Sequence, residues 1–255
     1  MKQLKDSEKR EKYKVYGELI NAFGYGLTPD DKVLEAANYY DDNKIIKIPI
    51  DNTKTPAENA QKYFDKYGKM KRTAEALNEL IIETKGQIDH LESIQNSLDI
   101  ALSADDLVQI KDELIEYGFI KKGKNAKKQK VKSKPFHYVS SDGFDMYVGK
   151  NNYQNDELTF KLATGNDWWF HAKGMPGSHV IVKAENKELP DRTFEEAGKL
   201  AGYYSKGKNA DKVEIDYLQK KNVKKPNGAA AGFVVYYTNY SLTIHPDISN
   251  IRQIE

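Results

Sequence analysis

Cysteine is absent from the 255 residues, so no disulfide framework, thiolate nucleophile or cysteine-ligated zinc can form. Tryptophan occurs only twice, side by side at Trp168 and Trp169. No apolar run approaches the roughly 20 residues that a membrane-spanning helix needs. The N-terminus, MKQLKDSEKREKYK, is a charged helix start and not a signal peptide. These absences fit a cytoplasmic protein. The 39% hydrophobic residues still suffice for one large or two ordinary cores beside 31% charged residues.

Net charge is nearly balanced at +2, but its distribution is not. Residues 1–120 hold 17 Lys/Arg against 23 Asp/Glu, a net of −6. Residues 121–134, KKGKNAKKQKVKSK, hold eight Lys and no acid. Residues 135–255 hold 15 of each sign. Positive charge gathered in one short aperiodic linker suits contact with a polyanion. A solubilising linker accounts for the same composition.

The chain divides accordingly into three parts: 1–120, a helical arm; 121–134, the linker; and 135–255, a β-rich domain. In the first, Tyr63, Tyr67, Met70, Ala74, Leu77, Ile81, Thr84, Ile88, Leu91, Gln95 and Leu98 step by four and three, the seam of a coiled coil. Thr55-Pro56 opens this helix and Gly86 is its one weak point. From Ala57 to Ile100 it would extend roughly 66 Å at about 1.5 Å per residue. Its nearby partner, residues 1–22 with Tyr13, Tyr16, Ile20 and Phe23 on one stripe, is about half as long. Part of the seam is therefore expected to be bare unless the chain dimerises, is a piece of a longer protein, or covers the seam itself. KVLEAANYYDD and KIIKIPID read as two short strands with a turn at Asp41-Asp42-Asn43, forming a small β tip. A third helix begins in a capping box, Ser103 with Asp106, and is expected to bury Leu107, Ile110 and Leu114.

Beyond the linker, FHYVS, FDMYVG, WWFHA, HVIVK, VEIDY, FVVYY and LTIH are short β-rich runs, with one convincing helix in TFEEAGKLAGYYSKG. Runs of strands with few helices indicate α+β: here, an arm with a β tip followed by a compact α/β sandwich.

Three stretches could carry chemistry. In DWWFHAKGMPGSHVIVK, Asp167, His171 and His179 offer metal or acid/base groups, but the spacing matches no metal motif and no triad with Ser178. No catalytic residue, metal ligand or cofactor is therefore assigned, and the chain does not read as an enzyme. A plain structural role for both histidines stands beside a binding role. An indole can stack on a base without regard to sequence, and imidazoles and amides can bond phosphate or ribose. GKNNYQND gathers Lys150, Asn151, Asn152, Gln154 and Asn155, and so many amides in a row are expected at the surface; of these, Lys150, Asn151, Asn152 and Asn155 are candidates for RNA contact. Lys224 and Lys225 lie in KKNVKKPNGAAAG, a Lys-rich loop ending in Gly that suits phosphate contact. A polar turn and a solvated hairpin loop are the plain readings of these two stretches. Together with Trp169, His171 and His179, these residues form the expected RNA-contact set: lysines for phosphate, Trp169 as a stacking face, amides for base edges or ribose.

The same stretches carry a family resemblance. VGKNNYQND, the spacing D-x-W-x-H…G-x-P-G-S-H-V from Asp167 to Val180, and KKPNGAAAG closely resemble the C-terminal NFACT-R domain of the RqcH/NEMF family. GELINA and PAENAQKYFDKYGKMK resemble its coiled-coil arm. The resemblance spans nearly the whole chain and implies the C-terminal half of a longer protein. It implies ribosome-associated quality control: binding an obstructed large ribosomal subunit, with rRNA and tRNA as partners, and supporting untemplated alanine tailing of the stalled chain. The family's Asp-Arg pair for tRNA recruitment belongs to an N-terminal domain and is assigned to no residue here. Streptococcal relatives are also described as adhesins. That implies fibronectin or fibrinogen as alternative partners, and a cell-surface location reached without a signal peptide.

Overall fold

The computed structural model describes residues 9–123 and 133–254. Most of the Lys-rich linker, residues 124–132, lies outside the described residues. The fold is α+β, and the chain forms two units, residues 1–86 and 87–255. The division falls at Gly86, inside the longest helix.

In the first unit, helix α1 (Glu11–Phe23) is followed by an antiparallel pair, β1 (Val33–Asn38) and β2 (Lys44–Pro49), and then by helix α2, which starts at Pro56 and runs to Ile100. The turn between the strands carries Asp42 and Asn43 at positive φ, which short polar side chains tolerate. A reciprocal box opens α2: Thr55 Oγ1 accepts from Glu58 N at 3.2 Å, and Glu58 Oε2 accepts from Thr55 N at 2.8 Å. Leu19, Ile20, Leu34, Ala36, Ile48 and Ala60 form the core. α1 and α2 approach closely at Gly17, where an added Cβ would stand 2.8 Å from the Phe64 ring.

Farther along α2 the expected seam is bare. Every residue from Asn78 to Asp89 is exposed, including Leu80, Ile81, Ile82 and Ile88. Past that stretch the buried stripe is His90, Ile94, Ser97 and Ile100, while the seam positions Leu91, Gln95 and Leu98 face solvent. The stripe is set one residue aside because its covering is polar. His90 Nε2 meets Glu113 Oε1 at 2.8 Å, and Asn96 donates to Tyr204 O at 3.3 Å.

The second unit continues with helix α3 (Ala104–Glu116), whose Ser103–Asp106 capping box forms as expected. Its buried face is Asp106, Ile110 and Glu113, not Leu107, Ile110 and Leu114; Leu107 is exposed. The helix turns a polar stripe inward because hydrogen-bond partners wait there. A seven-stranded sheet follows, in the order β8-β7-β5-β6-β4-β3-β9, with antiparallel pairing throughout. Its strands are β3 (Phe136–Val139), β4 (Asp145–Val148), β5 (Trp168–Ala172), β6 (Val180–Val182), β7 (Val213–Gln219), β8 (Tyr240–Ile244) and β9 (Arg252–Gln253). The run FVVYY is not a strand. It makes a single bridge, Lys224 to Val235, and lays Tyr236 across the sheet so that its hydroxyl donates to Asp216 at 2.9 Å.

Between β4 and β5 lie a short helix, α4 (Asn152–Glu157), and a π-turn (Leu158–Leu162); helix α5 (Asp191–Tyr203) follows β6. Both sheet faces are covered. α5 closes one over Phe170, Ala172, Val180, Val182 and Ile215. α4, the π-turn and the 223–236 segment close the other over Trp169, Ile181 and Leu218. At Gly202, an added Cβ would stand 2.6 Å from Ile244 Cδ1 and 3.3 Å from Pro246. Gly202→Val should therefore lower the melting temperature by roughly 5–10 °C through overpacking. An unchanged thermal melt would show that α5 does not need this close approach.

Candidate nucleic-acid interface

Gly149 begins the amide segment, in a place where only glycine fits: a Cβ would stand 2.2 Å from Asn155 Oδ1. Asn151 caps α4 by accepting from Gln154 N at 3.0 Å, and donates to Gln109 at 2.6 Å. Asn152 donates to Ser93 at 2.8 Å and to Glu113 at 2.7 Å. Gln154 reaches Gln109 at 2.9 Å and Ser133 at 2.8 Å. Asn155 Oδ1 accepts from His179 N at 2.9 Å. All four amides are buried. This corrects the expectation that they face outward. Buried amides are stable when their hydrogen bonds are made, and here they are made to one another and to the inward polar stripe of α3. Lys150 is drawn in with them. It lies 3.4 Å from Asp106 and 4.6 Å above the Phe136 ring, with its side chain largely covered.

Strand alternation decides between the tryptophans. Trp169 points to the α4 face and is fully buried, packed against His171, His179 and Tyr236. It presents no stacking face to solvent, which corrects that assignment. Trp168 points to the α5 face and stays partly exposed, edge-on to Phe194 at 4.8 Å and beside Tyr217 at 5.9 Å.

The histidines meet at 5.5 Å, ring edge to ring face. His179 Nδ1 lies 2.7 Å from Thr159 Oγ1, and burial holds its pKa well below the ordinary value, reinforced by His171. His171 keeps some open surface, yet burial of the ring pushes its pKa down to about 4, against weaker opposing pulls from Gly177 and Asp216. Both are neutral at pH 7. Asp167 is not brought to them. Its carboxylate accepts from Thr164 N at 2.7 Å and Ala184 N at 2.9 Å and pairs with Lys183. Burial raises its pKa, but Lys183 and the two amides outweigh that and hold it low. Among the described residues no group of three His, Cys, Asp or Glu is placed to hold a metal.

The Lys-rich loop is at the surface. Lys221, Lys224 and Lys225 are exposed, and Lys220 lies over the Phe160 ring at 5.6 Å. Lys225 already has an anionic partner, Asp156 at 2.7 Å. Of the residues expected to touch RNA, Lys224 is thus the one left outward without a prior partner. Lys220 and Lys221, just ahead in the same loop, join it.

The arrangement can be compared with known proteins. The model for the NFACT N-terminal and middle domains matches residues 1–133, and that for the NFACT protein RNA binding domain matches residues 134–237. The chain belongs to the NFACT family. It is 38% identical over its whole length to the Rqc2 homolog RqcH of Bacillus subtilis, and equally to that of Streptococcus pneumoniae. It spans 45% and 46% of those relatives, less than half their length. The solved C-terminal structure of a fibronectin/fibrinogen-binding protein from Streptococcus suis matches 98% of this chain and 91% of that one, at TM-score 0.71 and 34% identity. No helix among the described residues is long and apolar enough to cross a membrane.

Asn152→Ala removes the donor to both Ser93 and Glu113, so it should cost about 2 kcal/mol in a denaturant titration; an unchanged midpoint would exclude the network as a stabilising element. The histidine pKa values are depressed in the folded state. The unfolded chain therefore binds more protons between its ordinary value near 6.5 and the folded value near 4. Stability should be full above pH 6.5 and fall as pH drops toward 4. Melting temperatures measured across that window should decline, and His171→Gln should flatten the decline.

Proposed function

We propose that this chain is the ribosome- and RNA-contacting part of a ribosome quality-control factor of the RqcH type. The observation that carries the reading is similarity to part of the Rqc2 homologs over the whole of this chain, with an RNA-binding family domain over residues 134–237. In this reading the chain acts in the cytoplasm on a large ribosomal subunit blocked by a stalled peptidyl-tRNA. The whole protein supports tRNA recruitment and alanine tailing. The ribosome forms the peptide bond, so this chain is a recruiting and positioning factor and not an enzyme. RNA is held through its phosphates, with Lys221 and Lys224 as exposed cations of the domain's loop and the half-buried Lys220 beside them.

A second reading rests on the Streptococcus suis relative, a fibronectin/fibrinogen-binding protein. Here the chain would bind a host protein at the cell surface, through the open edge strand β8. Ionic strength separates the two, because polyanion binding falls steeply with salt and strand addition does not.

Co-sedimentation with purified large ribosomal subunits across a salt series tests the first reading. Retention should fall steeply with salt, and Lys221→Gln with Lys224→Gln should reduce the log–log salt slope by about 1.5. Absence of retention at low salt would remove ribosome affinity from this chain. Salt-insensitive capture of fibronectin would then support the second reading.

A further inference from the structure

The α5 face of the sheet opens, at the start of β5, into a cavity of about 470 Å³. Trp168 forms one wall. Phe194 stands against that indole edge-to-face at 4.8 Å and fixes its plane. Tyr217 and Tyr240 extend the aromatic surface at 5.9 and 6.5 Å from the indole, and Tyr240 is well exposed. Ala184 and Leu189 complete the apolar part of the lining, and the remainder is polar. Asn166, Asn186 and Gln219 supply amides, and Glu188 and Asp191 supply carboxylates. Asn166 donates to Asn186 at 3.0 Å across the rim. A tight turn with Glu185 and Asn186 both at positive φ holds Asn186 there.

Charge decides what can enter. A phosphate would meet Glu188 and Asp191, and the one lysine of the lining, Lys187, is paired with Glu185 at 3.0 Å. A flat, neutral group with hydrogen-bonding edges has no such conflict. It can lie on the indole, offer N–H groups to the carboxylates and exchange bonds in both directions with the amides. A carboxylate only accepts, so the favoured edge carries an amino group, as guanine, adenine and cytosine do; uracil has no amino group, and its one ring N–H is flanked by two carbonyl oxygens that would face the carboxylates. Outside the cavity, Lys221 lies alongside Gly165, next to Asn166, with its amide bonded to Gly165 O at 3.1 Å and its side chain in solvent. A phosphate attached to a base held on Trp168 would find that cation.

We propose that the Trp168 cavity takes one unpaired, amino-bearing nucleobase, stacked on the indole, with its phosphate turned out toward Lys221. This deepens the RNA-binding reading and rests on it.

Trp168 and Trp169 are the chain's two indoles, and Trp169 is buried away from solvent, so a ligand-dependent change in intrinsic fluorescence reports on Trp168. The full chain is titrated with GMP, AMP, CMP and UMP, and separately with fluorescently labelled single-stranded oligonucleotides read by anisotropy. Amino-bearing nucleotides should quench the emission saturably, and UMP should be several-fold weaker. Trp168→Ala should weaken binding of a mixed-sequence oligonucleotide by at least about fivefold, while Trp168→Phe keeps most of it. Glu188→Gln with Asp191→Asn should narrow the gap between GMP and UMP. Should Trp168→Ala fail to fold, Gln219→Ala, at the half-buried rim, gives the same readout with a smaller loss. Oligonucleotide binding with no quenching, unchanged by these variants, would overturn the proposal and leave the RNA reading standing. Neither oligonucleotide nor nucleotide binding at low salt would overturn both. Saturable quenching by an arginine or lysine peptide, with nucleotides inert, would overturn the proposal in favour of a protein side chain as the occupant.

Discussion

The second unit depends on a buried polar network. Glu113 lies at its centre, fully buried, taking one bond from Asn152 and meeting His90, with Ser93 alongside. A second centre is Asp106, which caps its own helix, pairs with Ser133 and lies near Lys150. An apolar core would tolerate several relative placements of the end of α2, α3 and the sheet. A network of amides and carboxylates tolerates few, because each misplaced group is a desolvated donor or acceptor with nothing to bond. The low-polarity cores then fill the space this geometry defines. Ile100, the last residue of α2, joins the same apolar cluster as Phe136, Met146 and Leu200.

Much of the fold was legible in the residues. Helix boundaries at Thr55-Pro56 and Ser103, the β tip, and six of the seven expected β-rich runs follow from local rules of capping, turn chemistry and alternation. These signals are carried by neighbours in sequence. What was illegible depended on partners far along the chain. Burial of Asn151 and Asn152 required knowing that α3 presents Gln109 and Glu113 to them, some 40 residues earlier, and burial of Asn155 that His179 meets it from farther along the chain. Displacement of the α2 stripe from Leu91 and Leu98 to His90 and Ser97 has the same origin. An apolar seam is a good guide only where the covering surface is apolar. The tryptophan choice is a different case. Alternation separated Trp168 from Trp169, but which face lay deeper depended on the π-turn and the Tyr236 segment, and no local pattern announced either.

The same contrast shaped the candidate site. Residues that look like binding groups in a sequence, namely clustered amides and paired histidines, are the ones a small domain uses to pin its interior together. The groups left outward are plainer: a few lysines in a loop and one half-covered indole. Polar character alone is therefore a weak guide to a binding surface in this domain. A polar residue's chemistry is available to a ligand only when the fold has not already consumed it.

The exposed stretch of α2 from Asn78 to Asp89 has a consequence for folding cooperativity. A helical segment that buries no side chain draws most of its stability from its own backbone bonds, and Gly86 weakens those further. Free energy gained in one core passes poorly through such a link. The Leu19–Ile48 core and the seven-stranded sheet should then melt as separate events. Loss of one would not drag down the other, and the amide protons of the link would exchange with solvent sooner than those of either core.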